Sequence, residues 1–261
     1  MELEKIKDLL VETAIEAGSF IRKEAEGFQS QAIEYKDVNN VVSYVDKEAE
    51  KRIVERLSQY EGVGFITEEE TAETSDKDGY NWIIDPLDGT ANFVHGVPHY
   101  SVSLAFAKGK EVLAGVVYHV PANEVYSAIK GGGAYKGDKK LQVSKAKVLG
   151  ETLMATGFPY YRFEEMHRYI KILEELMQGT HGLRRFGSAA LDLAFVAEGR
   201  YDGFFEYNLN SYDMAAGVLL VQEAGGVVTD FKGGDKYLFG GDVVAGGASH
   251  EALLQVIKKY W

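Results

Sequence analysis

The chain has 261 residues, 46% of them apolar and 26% charged, with a formal net charge of −12 at pH 7 and no cysteine. That length buries a substantial core without staples, and the missing cysteine excludes a disulfide framework, a thiol nucleophile, a Cys-type zinc site and an iron-sulfur cluster. The negative field speaks against direct nucleic-acid binding and against a polybasic membrane contact, whereas surplus carboxylates suit divalent cations.

Met1-Glu2-Leu3-Glu4-Lys5 opens a polar amphipathic pattern without secretory character. No apolar run approaches the roughly 20 residues that span a bilayer, so the expected location is the cytoplasm. Ile6, Leu9, Leu10, Thr13, Ala14, Ala17, Phe20 and Ile21 recur at helical spacing and predict an amphipathic helix over 2–26. Ala49, Ile53, Val54 and Leu57 predict a second helix over 43–59. Short β-rich runs at 64–66, 82–84, 101–107, 113–119 and 124–129 predict a central antiparallel sheet, and Gly131-Gly132-Gly133 a tight connection. From about residue 150 strands (152–155, 203–206, 227–229, 243–245) alternate with helices (162–178, 188–198, 211–224, 249–260), the rhythm of an α/β unit. No Ser/Gly/Pro linker divides the chain. The expectation is an N-terminal α+β lobe over 1–148 and a C-terminal α/β lobe over 149–261, forming one compact unit.

Several signatures are absent: G-x-x-x-x-G-K-[ST], G-x-G-x-x-G after a strand, G-x-S-x-G and H-E-x-x-H. Nor do the six histidines show metal-ligand spacing. His95 and His99 are four apart, but Gly96 and Pro98 interrupt any helical face between them.

The informative stretch is Trp82-Ile83-Ile84-Asp85-Pro86-Leu87-Asp88-Gly89-Thr90-Ala91-Asn92-Phe93. An apolar strand delivers Asp85, Pro86 stops the ladder, and Asp88-Gly89-Thr90 starts a short helix. Two carboxylates three residues apart repel unless solvated, paired or bridged by a cation. Hard oxygen donors without Cys or His select Mg²⁺ or Mn²⁺ over Zn²⁺. The Gly89 and Thr90 amides offer a phosphate seat at the same corner. An ordinary alternative stays open, since Asp-Pro and Asp-Gly are common turn pairs and Asp88 can be a helix cap. Glu68 emerges at the end of the 64–66 strand, or belongs to a solvated acidic loop running through Glu73 and Asp76. Ser211 reads as a helix cap and Asp213 as a complement to the helix dipole; Asp46, near the start of the second helix, has the same two readings.

Taken together, Glu68-Glu69 after an apolar strand, D-P-L-D-G-T-x-N-F from Asp85, G-S-A-A from Gly187 and E-x6-D-x-A-A-G from Glu206 resemble the inositol monophosphatase family, within the lithium-sensitive, magnesium-dependent phosphatases. The resemblance spans essentially the whole chain. It implies an α+β fold built as a layered αβαβα sandwich, and a phosphomonoesterase acting on inositol monophosphate or a similar polyol or sugar phosphate. Two or three Mg²⁺ ions, with Mn²⁺ as a substitute, would activate the attacking water directly. Glu68, Asp85 and the Leu87 carbonyl match the ligands of a first ion, and Asp85, Asp88 and Asp213 those of a second. Asp46 and Thr90 match the pair that orients and activates the water, and Glu69 an accessory acid. Gly89, Thr90, Gly187, Ser188, Ala189 and Glu206 match substrate-binding positions. Haloacid-dehalogenase-type phosphatases resemble the chain less, because their D-x-D-x-T spacing is one residue shorter.

The resemblance leaves fructose-1,6-bisphosphatase or dual-specificity activity open. It also leaves open a different class of role, a regulatory protein partner in transcription, and it suggests a homodimer. Arg184 and Arg185 either serve a second phosphate or pair with surface carboxylates. Two departures from the family pattern are Tyr212 for a Trp and Thr67 for a Gly.

Overall fold

A computed structural model describes residues 2–27, 33–37, 40–72, 78–159 and 163–261, with only the backbone placed over 33–37 and 40–43. Glu73 and Asp76 of the acidic loop, and residue 162 of the predicted fourth helix, lie outside the described residues. In chain order the elements are α1 (Leu3–Ala25), β1 (Ile33–Asp37), β2 (Asn40–Ser43), α2 (Tyr44–Leu57), β3 (Gly64–Thr67), β4 (Tyr80–Asp88), α3 (Thr90–Val94), β5 (Ser101–Lys108), β6 (Glu111–His119), β7 (Glu124–Ile129), β8 (Gly133–Lys136) and β9 (Lys139–Lys140). After these come β10 (Leu153–Thr156), α4 (Met166–Gly179), β11 (Gly182–Arg184), α5 (Ala189–Ala197), β12 (Gly203–Glu206), α6 (Ser211–Glu223), β13 (Val227–Thr229), α7 (Tyr237–Gly240), β14 (Val243–Gly246) and α8 (His250–Tyr260).

Three apolar clusters stack these elements into five layers. Strand side chains alternate between faces, so Trp82, Ile84, Leu104, Phe106 and Val116 of the seven-stranded sheet face one way, onto Ile6, Leu10, Ala14 and Ile21 of α1 and Ala49, Ile53 and Leu57 of α2. Ile83, Ala105, Val117 and Tyr126 face the other way and join a cluster with α5 and α6, which in turn meet Phe204, Val243 and Ala245 of the five-stranded sheet. Met154, Phe205 and Val244 on the far side of that sheet are covered by Tyr169, Ile172 and Leu176 of α4 and by Leu253, Leu254 and Ile257 of α8. The result is the α/β/α/β/α sandwich implied by the resemblance. Position explains composition: α5, clamped between two sheets, is buried along its whole length and apolar but for Asp192, whereas α1 and α4 each bury one stripe. No described helix is long and apolar enough to cross a membrane.

The structure corrects the sequence reading in several places. The larger sheet is antiparallel except at one edge, where β3 runs parallel to β4 in the register Gly64↔Asn81 to Thr67↔Ile84. The smaller sheet is mixed: β11, β10 and β12 are parallel, while β14 pairs antiparallel with β12 and β13. Pro86 does not stop the ladder. β4 continues to Asp88 through an irregularity between the Asp85↔Ser103 and Asp88↔Ser101 pairs, a bulge that absorbs the amide proline lacks. The short elements β1, β2, β8, β9, β11 and α7 are not predicted, because two to five residues carry too little periodicity.

The two central helices lie unusually close. A β-carbon on Gly217 of α6 would stand 2.5 Å from the Leu193 β-carbon of α5, and one on Gly115 of β6 would stand 2.9 Å from the Ala216 Cα. Gly217→Ala gains about 1 kcal/mol of helix propensity but overpacks this contact at a cost of about 1–3 kcal/mol. The expected outcome is a lower denaturant midpoint than the unsubstituted chain; an equal or higher midpoint would show that α5 and α6 have room to spare.

Candidate active site

The site begins with strand register. Because Thr67 pairs with Ile84 in parallel fashion, the next residues, Glu68 and Asp85, fall side by side where β3 ends, with Asp85 still in β4 and paired with Ser103. Asp85 Oδ1 accepts the Leu87 amide at 3.0 Å, which shapes the bulge. At Gly89 the chain turns at φ 95°, where a β-carbon would crowd the His99 and Gly187 carbonyls at 3.1 and 3.2 Å, so glycine is required on both counts. Thr90 then opens α3. Its hydroxyl lies 2.7 Å from Asp46 Oδ1 and 3.0 Å from the Leu87 carbonyl, joining the first turn of α2 to the β4 corner. Asn92 of the same motif ties the corner to the loop before α5, donating to the His99 and Phe186 carbonyls at 2.7 Å each.

That loop brings in the second sheet's side of the molecule. Asp88 Oδ2 accepts the Ser188 hydroxyl at 2.6 Å and the Ala190 amide at 2.9 Å at the N-terminus of α5, where Ser188 is itself the helix cap. Gly187, Ser188 and Ala189 are thereby placed against the Asp88 corner. On α6 the cap is Asn210 rather than Ser211, one residue earlier than the sequence reading, and Asp213 Oδ2 completes a capping box by accepting the Asn210 amide at 2.6 Å. Glu206, at the end of β12, projects its carboxylate into the space that a β-carbon on Gly157 would fill.

Electrostatics shows that these acids share one neighbourhood. Asp85 and Asp88 are 2% and 9% exposed; Glu68, Asp213 and Glu206 keep some surface at the mouth but are ringed by protein. Burial is the largest cause raising every one of them. It lifts Glu68 and Asp85 well above the carboxylate range, helped for Glu68 by Asp213 and Asp46 and for Asp85 by Glu68, Asp88 and Asp213. Asp88 is pushed up to about 6 by burial, opposed by the Ser188 and Ala190 hydrogen bonds and the Arg185 guanidinium. Burial takes Asp213 to about 7 against the hydrogen bond from Asn210, with Asp88 adding to the rise, and takes Glu206 to about 8 against the pull of Arg185. Glu68 and Asp85 lie close enough to act on each other directly, and Glu68 raises the cost of the Asp85 charge beyond that of burial. Glu69 stands close enough to raise both Glu68 and the Tyr212 hydroxyl.

The donor chemistry fits a hard divalent cation. Glu68, Asp85, Asp88 and Asp213 are oxygen donors whose ionised forms repel one another, and a bound cation relieves that repulsion. Among the described residues no three acids or histidines stand in a ready ion-holding arrangement. Asp85 is turned to Leu87, Asp88 to Ser188 and Ala190, and Asp213 to Asn210, so gathering them on one ion takes side-chain rotation. Two of the histidines sit instead in an aromatic cluster. His99 and His119 pack their rings 5.5 Å apart among Phe186 and Phe195, and burial lowers His99 to about 4.

Four residues of this neighbourhood escape the sequence reading or change role. Arg185 faces the buried acids Asp88, Glu206 and Asp192 rather than surface carboxylates. Asp192, 1% exposed, keeps an oxygen without a hydrogen-bond partner among the described residues, and burial raises it well above its ordinary value. Its signal was a lone acid in the otherwise apolar run ALDLAFVA. Gly157 yields space to Glu206. Glu50, four residues after Asp46 and fully buried, holds the turn after Glu68.

Comparison with known proteins agrees with the geometry. A family model described as "Inositol monophosphatase family" matches residues 2–261. A Mesorhizobium japonicum protein named inositol-1-monophosphatase is 39% identical over 254 residues, 97% of this chain and 96% of its own length. An Escherichia coli protein named Nus factor SuhB is 44% identical over 242 residues, 92% and 90% of the two chains. The crystal structure of the extragenic suppressor protein suhB from Bartonella henselae superposes with a TM-score of 0.91 at 38% identity, covering 98% of this chain and 99% of that one.

The raised carboxyls set a pH signature. A carboxyl whose folded pKa lies above its ordinary value stabilises the fold fully below the ordinary value and withdraws that support as pH rises through the folded one. With Asp88 at about 6, Asp213 at about 7 and Glu206 at about 8, against ordinary values of 3.8 and 4.5, the window runs upward from about pH 4 to about pH 8. In chelator, Tm should therefore fall as pH rises across it, and Asp213→Asn should flatten the fall. A Tm that climbs toward pH 8 would refute the assignment.

Proposed function

Because the chain belongs to the inositol monophosphatase family, we propose that it is a magnesium-dependent phosphomonoesterase that hydrolyses inositol monophosphate or a similar polyol phosphate by direct attack of water. The observation that carries this is the convergence of Glu68, Asp85, Asp88 and Asp213 beside the Asp46–Thr90 pair. Glu68, Asp85 and the Leu87 carbonyl would hold one Mg²⁺, and Asp85, Asp88 and Asp213 a second, with Mn²⁺ able to replace either. Bound divalent ions supply charge compensation at the phosphoryl oxygens and lower the pKa of water.

The residues do the rest. Thr90, donating to Asp46, has lone pairs left to accept a hydrogen bond from a water. As that water attacks phosphorus, its proton passes through Thr90 to the Asp46 carboxylate, with Glu69 as an accessory acid near the mouth. The ester P–O bond breaks, and the leaving alkoxide takes a proton from solvent. The Gly89 and Thr90 amides seat the phosphoryl group. Gly187, Ser188, Ala189 and Glu206 meet the polyol hydroxyls, with Arg185 beside Glu206 as a cation for a second phosphate in a bisphosphate substrate. In this reading residues 1–148 and 149–261 act as one catalytic unit, cytoplasmic and homodimeric. A second reading, favoured by the Nus factor name of a relative, adds a protein partner in transcription and is compatible with the first.

Asp88→Asn should cut phosphate release from inositol monophosphate by at least about a hundredfold, since removing a ligand costs no less than disturbing its surroundings. The metal-free Tm should hold or rise because a buried charge is gone. Wild-type turnover in a folded Asp88→Asn protein rules the mechanism out. A release panel over inositol monophosphate, fructose 1,6-bisphosphate and 3'-phosphoadenosine 5'-phosphate, with and without Mg²⁺, decides the substrate. Retention of a transcription partner by the inactive variant supports the second role.

A further inference from the structure

Asp46 and Glu50 sit one helical turn apart on the inward face of α2, 1% and 0% exposed. They reach in different directions. Asp46 takes the Thr90 hydroxyl at the β4 corner. Glu50 takes the turn that follows β3: its Oε2 accepts the Glu69 amide at 2.8 Å, and its Oε1 accepts both the Thr71 amide at 3.0 Å and the Thr71 hydroxyl at 2.7 Å. One rigid helical turn thus ties the backbone next to Glu68 to the corner that carries Leu87 and Thr90.

Two features show why this tie is needed. β3 is a four-residue edge strand whose ladder with β4 ends at Thr67↔Ile84, so the sheet ceases to hold the chain where Glu68 begins. Two residues later Glu70 adopts φ 54°, a left-handed conformation that a side chain with a β-carbon avoids unless its surroundings impose it. The Glu50 carboxylate supplies that imposition, since it binds the amides on either side of Glu70. It meets three donors, which suits a group that only accepts. Glutamine in its place would turn an NH₂ group toward at least one of those donors.

We propose that Glu50 is a positioning residue: by clamping the Glu68–Thr71 turn to the helix that carries Asp46, it presets the carboxylate of Glu68 against Asp85 and so sets the affinity of the site for its divalent cation. The inference rests on the metal-dependent reading above. It assigns Glu50 no contact with metal or substrate.

The test compares the full-length chain with Glu50→Gln and Thr71→Val, using two readouts: the Mg²⁺ concentration that half-maximally raises Tm, which needs no turnover, and the Mg²⁺ concentration for half-maximal phosphate release, with KM measured at saturating Mg²⁺. Glu50→Gln should raise both half-saturating concentrations about tenfold or more, as expected for loss of hydrogen bonds to a charged group. Thr71→Val, which keeps Glu50 and both amide bonds, should raise them about threefold. KM should stay unchanged. A purely structural role for Glu50 would lower the metal-free Tm and leave half-saturation where it was, and that result overturns the proposal. Should Glu50→Gln fail to fold, Thr71→Val decides alone, and unchanged half-saturation there also overturns it. A wild-type chain whose Tm and phosphate release both ignore Mg²⁺ removes the functional reading and this inference together, whereas insensitive variants of a responsive wild type remove the inference only.

Discussion

Carboxylates held out of water and within reach of one another are the constraint on which the candidate site depends. Burial alone makes an ionised Asp or Glu costly, and a like charge beside it raises the cost. Asp85 and Asp88 are almost wholly buried, and Glu68 and Asp213 add their fields at the mouth. Such an arrangement persists only if the surrounding structure enforces it and something relieves it, whether a proton or a cation. The α/β/α/β/α stack supplies the enforcement. It brings the end of the larger sheet, the first turn of α2 and the N-termini of α5 and α6 to a common corner, and its three apolar clusters fix their relative placement.

Each acid is also restrained individually, and the restraints are of different kinds. Asp85 is held by its own bulge, Asp88 by a helix cap, and Asp213 by a capping box it completes itself. Arg185 sets a positive charge beside Asp88, Glu206 and Asp192. The cap bonds leave oxygen lone pairs unused, because a carboxylate accepts at about four sites. A residue can therefore cap a helix and still have an oxygen for a cation. The cap at Thr90 is Gly89, so Asp88 caps α5 rather than its own helix, and Asp213 completes the box at α6.

What the sequence disclosed follows from the range of the interactions involved. The long amphipathic repeat of α1 and the β-rich runs of β5, β6 and β7 announce themselves because each pattern repeats over several periods, and all four occur close to the predicted ranges. The motif around Asp85 is local and was equally visible. The proximity of Glu68 to Asp85 is not local: it depends on the parallel register of a four-residue edge strand, which no periodicity records. Glu50 reads as one more surface acid among the Lys/Glu pairs of α2 until the turn it holds is in view. Gly157 carries no sign of its purpose, because that purpose is the space required by a carboxylate nearly fifty residues later.

The most direct measurement is anomalous diffraction from crystals soaked in Mn²⁺. Peaks lying within about 2.0–2.5 Å of carboxylate oxygens of Glu68, Asp85, Asp88 and Asp213 are expected, with at least one beside the Leu87 carbonyl. Manganese bound only elsewhere on this acidic surface, with those four carboxylates left uncoordinated, would contradict the claim that their convergence exists to hold divalent ions.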